Sequence, residues 1–212
     1  MNWLPRLPQE IEEESFRRIE AQVKAHSLAP AEWSVVRRMI HTTGDFAYLD
    51  NARFHPRAIA SGLEALYQGR PVLADTRMLQ AGISTGRLAR LGVEVICLMD
   101  DQEVAAEAAR RGTTRATVAI ERALLQNSGG IVAIGNAPTA LIRLLDLLTA
   151  GASPPALIVG VPVGFVNAAE SKDALTRQDC PFITSLGPKG GSAVAASIIN
   201  ALAVMALTEK PA

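Results

Sequence analysis

A chain of 212 residues with 49% apolar but only 4% aromatic side chains can bury one sizeable core, built mainly from Ala, Val, Leu and Ile. Its 21 basic and 21 acidic residues cancel to a formal charge of zero, which argues against the basic excess of a nucleic-acid-binding protein. The two cysteines, Cys97 and Cys180, lie far apart and outside any Cys-x-x-Cys pair, so a disulfide framework or a zinc site has no support.

The opening Met1-Asn2-Trp3-Leu4-Pro5 soon turns acidic at Glu10, Glu12, Glu13 and Glu14, the reverse of a signal peptide, and a cytoplasmic address is expected. Ile11, Ser15, Ile19 and Val23 then recur every four residues, and Trp33, Val36 and Ile40 recur at three and four. This spacing predicts two helices separated at Pro30. A third helix is expected from about His55 to Tyr67, closing at Gly69.

From Pro71 onward, short β-rich runs alternate with helical ones: Pro71 to Asp75, Val93 to Met99, Ile131 to Gly135, Ala156 to Val163 and Phe182 to Leu186. Each run is continuously apolar, as expected of strands covered on both faces, and each is followed by a helical segment. The expected fold is therefore a single α/β domain over residues 1–212, helical to about residue 70, then a doubly wound parallel sheet of about five strands. Asp100 and Glu103 have capping-box spacing, which predicts that the second strand runs directly into a helix carrying Val104, Ala108 and Ala109. The apolar run from Ala193 to Leu207 spans 15 residues and holds Ser197 and Asn200. It falls short of the roughly 20 residues needed to cross a bilayer and reads as a buried helix.

Open parallel sheets bind ligands beyond the carboxyl ends of their strands. There the sequence places Gly135-Asn136-Ala137-Pro138-Thr139, then Gly160-Val161-Pro162-Val163-Gly164-Phe165-Val166, then Gly187-Pro188-Lys189-Gly190-Gly191-Ser192. Glycine-bearing turns of this kind deliver helix N-termini to one edge, where unpaired N–H groups and a partial positive charge favour a ligand with several negative groups. Tight strand-to-helix turns alone would account for the glycines equally well.

No Gly-x-Gly-x-x-Gly follows any expected strand, and the Gly187 turn lacks phosphate-loop spacing, so a nucleotide site is not expected. Gly82-Ile83-Ser84-Thr85-Gly86 has the form of a hydrolase nucleophile turn. It follows a helical stretch rather than a strand, and His26, His41 and His55 all precede Ser84, against the hydrolase order.

His26 ends a charged helix and His55 sits in a loop before Pro56, so both are expected in solvent. His41 differs: Trp33, Val36 and Ile40 anchor its helix, Gly44 ends it, and Arg38 lies three residues back on the same face. An imidazole beside a guanidinium is disfavoured as a cation unless a ligand's carboxylates balance the charge, so it could stay neutral when empty and become an acid when loaded. A helix-terminal histidine without catalytic duty fits the same residues. Ser15 places a hydroxyl in register with Ile11 and Ile19, which a bond back to its own helix would explain equally. Arg115 begins a helix after Gly112 and by itself reads as a surface charge.

Several blocks together resemble the precorrin-8X methylmutases, or cobalt-precorrin-8 methylmutases, of cobalamin biosynthesis. They are Glu14-Ser15-Phe16, Arg38-Met39-Ile40-His41, Gly135 to Leu141, Gly164 to Lys172, and Lys189-Gly190-Gly191-Ser192, spread from about Ile11 to Leu207. The resemblance implies an isomerase that moves a methyl group from C-11 to C-12 of a tetrapyrrole (corrinoid) substrate, consuming no cofactor and needing no protein-bound metal. It implies a flavodoxin-like three-layer α/β/α domain that forms a homodimer, with the site near the subunit contact and no nucleic-acid or membrane partner. On the same basis His41 matches the family's proton donor or acceptor, Ser15 and Arg38 its substrate contacts, and Arg115 an arginine near the same site. Pro188 stands where many relatives carry arginine. A non-catalytic corrinoid carrier on the same scaffold is the alternative, since binding needs only the basic contacts.

Overall fold

The computed structural model describes residues 7–23, 25–126 and 129–208; the Met1–Pro5 opening lies outside them. Two helices begin the described chain, α1 (Pro8–Gln22) and α2 (Pro30–Thr43). Each carries proline at its first position, where no amide hydrogen is needed, and Glu10 and Glu32 reach back to accept the N–H of Leu7 and Ala29 at 3.0 Å. α2 stops at Gly44, which takes φ 67° and returns its N–H to the Ile40 carbonyl at 2.7 Å. Of the expected α1 stripe, Ile19 is buried but Ile11 is 52% exposed, so α1 meets the core through its second half.

There follow α3 (Tyr48–Asn51), β1 (Ala52–Phe54), α4 (Ala58–Tyr67), β2 (Val72–Ala74), α5 (Arg77–Gly82), α6 (Thr85–Ala89) and β3 (Val95–Ile96). The remainder is α7 (Gln102–Arg111), α8 (Arg115–Gln126), β4 (Ile131–Ile134), α9 (Pro138–Thr149), β5 (Leu157–Gly160), α10 (Ala168–Leu175), β6 (Phe182–Ser185) and α11 (Ser192–Thr208). The strands form one six-stranded sheet in the order β1-β6-β5-β4-β2-β3. β2 to β6 pair in parallel, as their uniformly apolar runs predict, and β2, β4, β5 and β6 are buried along their whole length.

Alternate strand residues feed separate cores, because successive side chains point to opposite faces. Val72, Ala74, Ile131, Ala133, Leu157 and Val159 pack with residues of α2, α4 and α11, whereas Leu73, Val132, Ile134, Ile158 and Phe182 pack with α8, α9 and α10. The expected buried helix is α11, which packs against α2, α4 and α5. Among the described residues no helix is long and apolar enough to cross a membrane.

Three local expectations are corrected. The sheet has six strands rather than about five: β1 adds antiparallel to β6, with Ala52 opposite Ser185. Three residues carry no readable period, and they become a strand only because β6 offers an unpaired edge. The cap of α7 is Asp101, whose carboxylate accepts from Glu103 and Val104 at 2.8 and 3.2 Å, while Asp100 pairs with Arg77 at 2.6 Å. The third helix begins at Ala58 rather than His55, and His55 is not solvated: its side chain is 11% exposed and meets the Phe182 ring edge-on.

Candidate active site

At the carboxyl edge of the sheet the loops are fastened to one another by side chains that periodicity does not single out. Asp75, at the end of β2, is 8% exposed, and its Oδ2 accepts the N–H groups of Asn136 and Ala137 at 2.7 and 2.9 Å. Burial pushes this carboxyl up, against the lowering effect of the backbone donors around it. The α9 end is thus already occupied by a carboxyl group of the chain itself. At α9 this corrects the expectation of a free helix N-terminus along the edge, because the Asn136 and Ala137 N–H groups are satisfied internally.

Next to it, fully buried Lys172 donates Nζ–H to the Lys189 carbonyl at 2.6 Å, and Ser185 Oγ donates to the same carbonyl at 3.2 Å. Gly190 passes so close to the β5–α10 loop that a Cβ there would lie 2.1 Å from the Val161 carbonyl oxygen. Lys189 Nζ in turn reaches Asp45 Oδ2 at 2.5 Å, and the ammonium holds that carboxyl below its usual range. The contact ties the β6–α11 loop to the chain just after α2, four residues beyond His41.

His41 stands exposed in the last turn of α2. Its ring meets the Phe16 ring edge-on with centroids 5.3 Å apart, and the Arg38 and Arg37 guanidiniums lie 5.3 and 4.3 Å from the same ring centroid. Phe16 of α1 therefore organises three cation-capable side chains of α2 around one aromatic ring. Arg38, whose side chain is 15% exposed, pairs with Glu12 at 2.8 Å, and Arg37 pairs with Glu20. Arg37 Nε is buried without a hydrogen-bond partner among the described residues.

Beside this cluster run two adjoining grooves of about 590 and 340 Å³, both lined by Glu12, Arg38 and Val204. The larger adds Arg87, Arg90 and Leu207, and the smaller adds Phe16 and Arg37. Their walls come from α1, α2, α11 and the end of α6 rather than from the loops at the carboxyl edge of the sheet, so this basic surface is made of helix faces.

Ser15, Arg38 and His41 are thus gathered on the α1–α2 pair. Ser15 Oγ donates to the Ile11 carbonyl at 2.8 Å, the back-bonded arrangement, which leaves its oxygen able to accept. Arg115 is not brought to them within one chain. It opens α8, and α8 packs on the opposite face of the sheet from α2. The candidate set read from sequence omits Phe16, Glu12, Arg87 and Arg90. A signal for the first pair was present in the four-residue spacing of Glu12 and Phe16, and for the second in two arginines three apart with no acid between them or in the eleven residues before them.

Comparison with known proteins gives a consistent result. The precorrin-8X methylmutase family model matches residues 10–205. The cobalt-precorrin-8 methylmutase of Priestia megaterium is 42% identical over 199 residues, covering 94% of this chain and 88% of that protein. The precorrin-8X methylmutase of Pseudomonas aeruginosa is 42% identical over 197 residues, covering 92% and 94%. The crystal structure of the precorrin-8x methyl mutase from Thermus thermophilus superposes with a TM-score of 0.89 at 42% identity, covering 95% of this chain and 97% of that one.

Proposed function

The chain belongs to the precorrin-8X methylmutase family and is an isomerase of cobalamin biosynthesis, and we propose that it moves the methyl group of (cobalt-)precorrin-8 from C-11 to C-12, with His41 as the proton-handling residue. In that reaction one C–C bond breaks and another forms within the same molecule. A proton lent to the ring to make the methyl-bearing region electron-poor returns to the imidazole as the product forms. What supports His41 in this role is its edge-on contact with Phe16, a wall of the smaller groove, and its position three residues from Arg38, which lines both grooves.

Arg38 and Ser15 are assigned to the acidic rim of the macrocycle, Arg38 as a forked donor and Ser15 through its free lone pairs. The arrangement is flavodoxin-like in our reading, since the parallel strands alone follow the order 2-1-3-4-5 with helices on both faces. We assign the working form as a homodimer. An apolar loop at the carboxyl edge supports this, with Phe165 and Val166 95% and 76% exposed. Arg115, on the far face of its own chain, then serves the site of the second copy.

The test is His41→Ala. Positioned acid catalysis contributes about 10² to 10⁴-fold, so the variant should bind the corrinoid yet isomerise it at least about a hundredfold more slowly. The visible absorption reads both steps, because the methyl shift lengthens the conjugated path whereas binding only perturbs bands. Full turnover by the variant overturns the role of His41, and an unchanged chromophore with the wild-type protein makes it a carrier.

A further inference from the structure

Arg87 and Arg90 occupy consecutive turns around α6, three residues apart, so their side chains leave the same side. Like charges at that spacing repel, and the acid that follows them, Glu94, lies beyond the turn at Gly92 and makes no ion pair with either. Many other arginines are neutralised, Arg17 and Arg18 by Glu14, Arg110 by Glu107, Arg111 and Arg143 by Glu121, Arg122 by Glu103, whereas Arg53, Arg70, Arg115 and Arg177 also have no ion pair among the described residues but line neither groove. Neither Arg87 nor Arg90 has an ion-pair or side-chain hydrogen-bond partner among the described residues. Both line the larger groove together with Arg38.

The groove itself shows what fits there. Its one lining carboxylate, that of Glu12, already sits on Arg38 at 2.8 Å, so one acid group is accommodated and two guanidiniums are left over. Val204 and Leu207 provide an apolar wall beside them. A ligand suited to this surface has an apolar body and a projecting planar anion that accepts two parallel N–H bonds.

We infer that Arg87 and Arg90 form a carboxylate-binding pair that takes an acidic side chain on the rim of the substrate and so sets the enzyme's preference for a rim with free acids. This rests on the function proposed above, and it adds a second basic contact on a different element from Arg38. The competing explanation is that the two cations merely complement the C-terminal end of the short helix, which would affect stability and leave ligand affinity alone.

The experiment measures binding of cobyrinic acid, and of its fully amidated counterpart, to the wild type and to Arg87→Gln/Arg90→Gln at low and moderate salt. Losing two charge-assisted contacts should raise Kd for the free acid about tenfold or more, reduce its salt dependence, and leave the amidated compound unaffected. In turnover the change should fall mainly on KM, and Arg87→Lys/Arg90→Lys should recover part of it. Should the double variant fold poorly, the single Arg90→Gln change at an exposed position gives the same readout on a smaller scale. Unchanged affinity for the free acid, with a wild type that binds and isomerises normally, overturns the inference and leaves the function standing. A wild type that neither binds cobyrinic acid nor isomerises its precursor removes the functional assignment and the inference with it.

Discussion

Replacing Lys172 with methionine isolates the cost of burying an ammonium beneath the loops at the carboxyl edge. The side chain is fully buried, and burial lowers its pKa to about 8 against a small opposing effect of neighbouring Asp173. Methionine has nearly the same length and removes the charge. The Lys189 carbonyl would lose its 2.6 Å bond from Nζ but keep the 3.2 Å bond from Ser185 Oγ, so no acceptor is orphaned. At pH 7 the lost bond and the relieved desolvation oppose each other, and the two proteins should differ by no more than about 2 kcal/mol.

The pH dependence separates them. In the unfolded chain the amine titrates near 10.4, whereas in the folded protein it titrates near 8. Between those values the unfolded state binds more protons, so this group's contribution to stability rises with pH. From pH 7 to pH 10 the wild type should gain about 2–3 kcal/mol relative to Lys172→Met, the variant having nothing there to titrate. Urea denaturation followed by far-ultraviolet circular dichroism at several pH values reads this difference directly. A wild-type stability that stays constant, or falls, relative to the variant as pH rises would refute the view that the fold holds this lysine against its preference for water.

Gly190→Ala should lower stability by about 3 kcal/mol or more, because the new methyl would lie 2.1 Å from the Val161 oxygen and 2.9 Å from its carbon, and backbone cannot give way as a side chain can. Thermal unfolding checks it, and a variant as stable as the parent would mean that the two loops separate freely. Asp75→Ala strips the carboxylate from the Asn136 and Ala137 N–H groups and should cost about 2–4 kcal/mol, seen as a lower urea midpoint. A smaller loss would mean that water satisfies those donors.

Parallel strands were readable because each is a short apolar run punctuated by glycine or proline, and burial on both faces requires just such a run. The stop of α2 was readable for a similar reason, since Gly44 meets a local backbone demand. β1 was not, because its pairing depends on the free edge of β6 more than a hundred residues later. Asp75 escaped notice as one acid at a strand end, and its role depends on two amides about 60 residues away. His55 looked like a loop residue until Phe182 was placed against it.

Local spacing by itself determined that this chain forms an α/β fold with buried parallel strands, that α2 stops at Gly44, and that Arg38 and His41 share a helix face. Those properties depend on neighbours within a few residues, whose free energies are expressed in sequence order. Tertiary structure alone decided that Phe16 of one helix joins Arg37, Arg38 and His41 of the next, that Arg87 and Arg90, without ion-pair partners among the described residues, line one groove with Arg38, and that Arg115 lies on the other side of the sheet. Which face of a sheet a helix covers is settled by how the whole set of apolar surfaces can be buried together, and no single segment carries that information.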